Sequence, residues 1–413
     1  MAQASDTMPA VEAVNQLPNS PRPRRLINPV YSVSTVTDWQ QLEQHQAAWE
    51  DLAADAIEPN VFYEPWMLMP ALRAYAGNSQ ITIVLVFARQ ENRPRDEPLL
   101  CGLFPLERRR FRRWPIKVQS LWRYVHCFLG VPLVRREHAS ACLAALFDWL
   151  RSDRRGAPLL ECREITAHGP FDQALGAFLR DRRLETFLVE AYARALLCPR
   201  SGVDAYFRDV LSGEKRKKLR RAEERLAEVA PVEYRSLETA AELEAWLADF
   251  LRLEATGWKG QEGTAMTCQA VDRDYFLEVC RGASARGRLM MLALCLGSRP
   301  IAHLCNFLAG EGSFAFKVAF DQEFARFSPG ALLELENIRV MHRRPELKWM
   351  DSCCPPGPSV VDALWGDRRT IQTLLVATGR APGELIIAGL PLLRWLRRTL
   401  ARWARRLSLK RDS

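Results

Sequence analysis

The apolar residues of this chain follow two periods, and each change from one to the other marks an element. Between Val30 and about Glu190, helical spacing over Trp39–Ala54 gives way to two strand-like runs, Ile81–Gln90 and Leu99–Glu107. A helix over His138–Ser152 follows, then strands at Leu159–Ile165 and Leu184–Tyr192 with a helix over Phe171–Arg180 between them. From about Ser201 the pattern starts again. It predicts a long helix over Ala205–Ala230, a strand at Val232–Leu237, and helices over Ala240–Glu254 and Asp272–Arg286. Three strand-like runs come next, Arg288–Leu296, Pro300–Leu308 and Ser313–Phe320. The turns Gly297-Ser298-Arg299 and Gly310-Glu311-Gly312 separate them and suit two successive hairpins. Pro329–Arg343 reads as a helix and Leu347–Asp351 as a strand.

The two stretches share an outline. The apolar hairpin ITIVLVFAR…LLCGLFPL of the first matches RLMMLALCL…PIAHLCNFL of the second, a weak internal duplication. The expectation is an α/β fold with two mixed sheets that meet near residues 190–205. The boundaries are a flexible leader at 1–29, a first domain at 30–195, a second at 196–383 and a tail at 384–413. The leader has early acidic residues and then Pro18, Pro21 and Pro23 among arginines, without the apolar stretch of a secretory signal. No apolar run approaches the roughly 18 residues of a spanning helix.

Charge alters this picture only once it is located. The net charge is +9, but eight Lys/Arg against Asp412 alone between Leu390 and Ser413 account for seven of those charges. The body is near neutral, so a general affinity for nucleic acid is not indicated. In the tail, Leu393, Leu396, Leu400, Trp403 and Leu407 form one helical stripe with arginines opposite, the pattern of a helix on an anionic membrane surface. The same stripe also suits a helix docked on the protein itself. The eleven cysteines are scattered and odd in number, without a CxxC, and the six histidines are isolated. These features indicate a reducing, cytoplasmic setting and no metal.

Most of the candidate chemistry lies between Gly312 and His342. A strand ends at Phe320, a charged loop follows, and Ser328-Pro329-Gly330 opens a helix with Ser328 as N-cap and Pro329 at its first position. Such a helix start is an anion site suited to a pyrophosphate, although the same residues suit a merely well-capped helix. The basic helix beginning Lys215-Arg216-Lys217-Lys218 has Leu219, Ala222, Leu226 and Val229 as its apolar stripe. Its charged face reads as solvated or as a phosphate grip, and it lacks the interleaved aromatics of sequence-specific nucleic-acid binding.

Arg326-Phe327-Ser328-Pro329-Gly330-Ala331 resembles a degenerate GNAT acyl-CoA motif, Arg/Gln-x-x-Gly-x-Gly/Ala, with Pro329 in place of its first glycine. With Lys317, Asp321, Phe62-Tyr63-Glu64-Pro65-Trp66, the basic helix, Glu254 to Gly260, Asp351-Ser352-Cys353 and Leu364 to Arg369, the order and spacing resemble one family. These are the acetyltransferases linked to bacterial cellulose and exopolysaccharide synthesis (CelD/BcsL-like), distant relatives of the Fem aminoacyl transferases. The resemblance spans about residues 35 to 375. It implies two tandem GNAT-like acyl-CoA N-acyltransferase domains and direct attack of an amine or hydroxyl, such as one on a sugar, on an acyl-CoA thioester. It places the donor at Arg326, Ser328, Gly330, Ala331 and Lys317. Trp258, Lys259, Asp351 and Trp365 are assigned to the acceptor. Direct attack needs a base, and Asp321, Glu254 and His303 are the candidates. An aminoacyl-tRNA-dependent transferase and an inactive GNAT-fold scaffold of a polysaccharide synthase are the alternatives.

Overall fold

Long-range pairing joins the two expected sheets into one. The computed structural model describes residues 30–77, 79–89, 98–111, 116–355, 357, 359–393 and 395, with the backbone alone for residues 258 and 259. The expected leader, residues 1–29, therefore lies outside the described residues. The first half holds strands β1 (Val30–Val36), β2 (Ile81–Arg89), β3 (Leu99–Arg110), β4 (Lys117–Leu121), β5 (Leu133–Val134), β6 (Leu159–Thr166) and β7 (Thr186–Leu197). The second holds β8 (Val232–Ser236), β9 (Leu289–Leu296), β10 (Arg299–Ala309), β11 (Gly312–Phe320), β12 (Trp349–Asp351) and β13 (Asp367–Ala377). They form a single sheet in the order β1-β2-β3-β4-β6-β13-β7-β12-β11-β10-β9-β8, with β5 added on β3.

This order contains the duplication. Each half is an antiparallel meander whose last strand meets a parallel partner, β4 beside β6 and β11 beside β12. The strand that closes each half is exchanged. β7 ends the first half but pairs with β12 of the second, whereas β13 from the end of the second half lies between β6 and β7. The sequence reading contained no β13, although its outer half alternates in exposure as an antiparallel strand should.

Helices α1 (Gln46–Ala54), α2 (Pro65–Tyr75), α3 (Ala139–Ser152) and α4 (Pro170–Arg182) belong to the first half. The second contributes α5 (Val203–Val210), α6 (Gly213–Ala227), α7 (Leu243–Thr256), α8 (Trp258–Gln261), α9 (Ala270–Ser284), α10 (Pro329–Arg343) and α11 (Val360–Leu364). The single helix expected over Ala205–Ala230 is broken in two. Leu211 turns extended, and the Ser212 hydroxyl accepts the Lys215 amide at 3.2 Å to start α6. Leu219, Ala222 and Leu226 are buried as expected, but Val229 lies beyond the helix end and is exposed.

In the second half α7 and α9 cover one face of the sheet, together with α2, in the larger core. Helices α5, α6, α10 and α11 cover the other face, around Leu332, Ile338 and Trp365. A third cluster seats the start of the tail. Residues 383–393 are helical, with Ile387 and Leu390 buried against Phe111, Leu159 and Leu375. Leu393, expected on a lipid-facing stripe, is turned toward this cluster, while Leu385, Leu392 and Trp395 are exposed. The other stripe residues, Leu396, Leu400, Trp403 and Leu407, lie outside the described residues. No helix among the described residues is long and apolar enough to cross a membrane.

Candidate active site

The parallel pair β11–β12 holds for only three residues, Gly312 to Phe314 against Trp349 to Asp351. Beyond Phe314 the ladder with β12 ends, and β11 continues to Phe320 with β10 as its paired strand among the described residues, so the sheet opens between β11 and β12. A β-bulge lies at the mouth of this opening. Ala315 pairs with Asn306 and Lys317 with Cys305, which leaves Phe316 as the extra residue. The bulge sends both Phe316 and Lys317 to the α7 side. There the Lys317 ammonium is 3.5 Å from Oε1 of Glu254, and Oε2 of Glu254 accepts the Met266 amide at 2.8 Å. Glu254 is almost wholly buried, and Lys317 retains a little exposure at the opening.

The start of α10 lies on the opposite face. A Cβ on Gly330 would contact Phe320 and Val318, whose side chains alternate with that of Lys317 along β11. Lys317 therefore does not stand with Ser328, Gly330 and Ala331, and the two groups can meet a single ligand only through the gap between β11 and β12. Ser328 does not cap as expected. It adopts a left-handed conformation (φ 54°), and its hydroxyl makes no cap bond. Its carbonyl instead accepts the amides of Ala331 and Leu332. Arg326 is exposed, with its guanidinium 4.7 Å from the Phe327 ring centroid.

The other expected residues separate sharply. Asp321 caps the turn after β11 by accepting the Glu323 amide at 3.0 Å, and its second oxygen pairs with Arg299 at 2.5 Å, so both oxygens are engaged away from the opening. His303 is buried against Trp246, and neither ring nitrogen has a hydrogen-bond partner among the described residues. Burial pushes its pKa down to about 4, and it is a neutral packing residue. Asp351 is clamped by Arg194 at 2.6 Å and Arg369 at 2.8 Å, and also accepts the Cys353 amide. Burial pushes its carboxyl up, but the two guanidinium groups outweigh this and hold it below the ordinary carboxylate range. This cluster joins β7, β12 and β13. Trp365 is buried and donates to Glu334 at 2.8 Å, so it packs the core instead of walling a pocket. The side chains of Trp258 and Lys259 lie outside the described residues. Of the three candidate bases, Glu254 alone remains at the opening.

The sequence reading missed the residues that the first half brings to this place. The loop after β4 carries Tyr124 and His126 onto Tyr275 of α9 and Phe316 of β11. His126 Nε2 lies 3.4 Å from Asp272 Oδ1, and the Tyr75 hydroxyl donates to the same oxygen at 2.7 Å. Burial and then the Lys317 charge push the His126 pKa down to about 4 against the opposing pull of Asp272, so the ring is neutral near pH 7. Tyr-Val-His in the loop at 124–126 was the available signal. It lies about 150 residues from its partners, and nothing local connects them.

Residues 213–358 match the family model described as Acetyltransferase (GNAT) domain. Over these residues the second half is similar to a GNAT domain. The match covers the basic helix α6, Glu254, Asp272, the bulge and the start of α10, and it stops short of β13. No curated protein matches the chain. Among solved structures, the chain is similar to FemX over 80% of its own length and 95% of that chain, at 10% identity and a TM-score of 0.54. At that identity the likeness concerns the fold alone. Weaker likenesses include the C-terminal domain of a putative lysylphosphatidylglycerol synthetase from Agrobacterium fabrum (11% identity, 85% of this chain and 97% of that one, TM-score 0.46). A tandem GNAT protein from the clavulanic acid biosynthesis pathway is similar at 15% identity over 85% of this chain and 100% of that one, TM-score 0.39. No group of three or more His, Cys, Asp or Glu side chains suited to a metal occurs among the described residues.

Proposed function

We propose that this GNAT-type acyltransferase takes its acyl group from acyl-CoA through the gap between β11 and β12 and passes it to an amine or hydroxyl. The observation that carries this reading is the bulged strand. It stations Lys317 and Glu254 on one side of an opening whose other side holds the start of α10. In this reading the donor's pyrophosphate lies near Arg326, Gly330 and Ala331, and its thioester reaches Lys317 through the gap. The nucleophile attacks the thioester carbon, the C–S bond breaks, and the electron pair leaves on sulfur. Lys317 supports the negative charge that grows on the carbonyl oxygen. The favoured acceptor is a sugar amine or hydroxyl of an envelope or exopolysaccharide precursor, a choice that rests on the CelD/BcsL-like resemblance. The exposed Leu385, Leu392 and Trp395, with eight basic residues between Leu390 and Ser413, suit contact with an anionic membrane at its cytoplasmic face.

Calorimetric titration with acetyl-CoA tests the donor site. Gly330→Glu places a carboxylate where the pyrophosphate lies and is expected to abolish binding. Binding unchanged in that variant removes the assignment. Full-length protein that stays in the supernatant when spun with anionic liposomes at low salt removes the membrane contact.

A second reading has its own support. The face of α6 bearing Arg216, Lys217, Lys218, Arg221 and Arg225 is exposed, and α6 packs beside the turn that contains Arg326. Such a surface also suits the phosphates of an aminoacyl-tRNA. Binding of charged tRNA in preference to acetyl-CoA selects this donor.

A further inference from the structure

The GNAT-domain match contains only part of the cluster at the opening. His126 and Tyr75 come from the first half, outside residues 213–358, whereas Asp272, Tyr275, Glu254 and Lys317 lie within them. The contribution of the first half is held firmly. The His126 ring stacks on Tyr275 at 5.5 Å with an interplanar angle of 13° and meets the edges of Tyr75 and Phe316. Tyr75 in turn stacks on Tyr124 at 5.8 Å. Asp272 takes two donors on one oxygen, Tyr75 and His126, while its side chain stays 23% exposed, so the pair borders solvent.

We infer that the first half supplies the proton acceptor of the transfer: His126 takes the proton from the attacking nitrogen or oxygen, with Asp272 as its positioning residue. The inference rests on the acyl-CoA reading given above. A neutral imidazole whose Nε2–H points to Asp272 keeps its lone pair on Nδ1. As the acceptor's N–C or O–C bond forms and the thioester C–S bond breaks, the acceptor's proton passes to Nδ1. The resulting imidazolium, stabilised by the Asp272 carboxylate, then returns the proton to the departing thiolate or to water. The charged and titratable groups facing the ring are Asp272 and Tyr275 from α9, Tyr75 from α2, Lys317 from β11, Glu254 from α7 and Tyr124 from its own loop. Burial and Lys317 oppose protonation of the ring, which leaves it neutral before attack, and Asp272 is the group that supports the charge the ring gains on accepting the proton.

The test uses full-length protein with acetyl-CoA and glucosamine, followed by thiol release, with CoA affinity measured in parallel. His126→Gln is expected to lower kcat about 100-fold or more, the usual scale of a general base, with CoA affinity unchanged. His126→Ala is expected to regain rate when imidazole is added, and Asp272→Asn to lose rate without losing CoA binding. A packing role predicts loss of CoA affinity together with rate and no effect of imidazole. A His126→Gln enzyme within about threefold of wild type overturns the inference and leaves acyl transfer standing. Wild-type protein that binds acetyl-CoA but releases no thiol with any amine or sugar overturns both.

Discussion

The two halves have the same strand outline, yet the space beside the parallel pair is used oppositely in each. In the second half β11 parts from β12, and a bulge lines the gap with Phe316 and Lys317. In the first half the matching space next to β4 and β6 is filled by the chain itself. The loop after β4 is tied down by Asn60, which donates to the carbonyls of Leu129 and Val131, and by the Gly130 amide bonded to Glu164. A Cβ on Gly130 would stand 2.1 Å from the Arg163 carbonyl, so the backbone there is in contact with β6. The filled half is not idle, since the same loop extends His126 and Tyr124 into the open half. The candidate site is thus bordered by residues of both halves. The exchanged strands β7 and β13 hold the halves in the register that this site needs.

The largest effect is expected at the seam between the halves. Arg194 joins Asp351 to the Phe128 carbonyl of the filling loop. Arg194→Met leaves a buried carboxylate with Arg369 alone, and we expect a loss of about 3–5 kcal/mol in urea unfolding. Because β7 and β13 cross between halves, wild type should unfold in one transition. Two separated transitions contradict the shared seam.

A smaller effect distinguishes the buried carboxylates. Glu161 in the first half has Ser120 at 2.8 Å and Arg109 at 3.8 Å, whereas Glu334 in the second is met by the neutral donors Asn337 and Trp365. Burial raises Glu334 from 4.5 to about 7, with the two hydrogen bonds pulling only partly back. The folded state therefore holds a proton more tightly than the unfolded chain. The stability due to protonated Glu334 is complete below the unfolded value and is lost as pH rises through the folded one. Glu334→Gln should equal wild type near pH 4.5 and exceed it by about 3 kcal/mol above pH 7. A difference that does not change with pH excludes a protonated Glu334.

The smallest effect examines the closed half. Gly130→Ala forces the loop off β6 and should cost about 1–3 kcal/mol. The shift should also move His126, so transfer should fall more than CoA affinity. A variant as stable as wild type means that the first cleft is looser than its packing indicates.

Nearly every hairpin and helix named from periodicity exists within a few residues of its expected ends, because amphipathic spacing is a local property that packing then uses. The strands at Leu289–Leu296, Arg299–Ala309 and Gly312–Phe320 and the helix at Pro329–Arg343 are examples. Tertiary structure alone decided three things. It paired β13 with β6 across about two hundred residues, which made one sheet of two. It assigned Asp351, Trp365, Asp321 and His303 to ion pairs, caps and packing, roles set by neighbours that no local pattern names. It brought His126 beside Asp272, Lys317 and Glu254. Residue type and spacing fix what a segment can form, whereas the environment of a side chain depends on burial and on partners from distant strands. Those partners exist only once the whole sheet has closed.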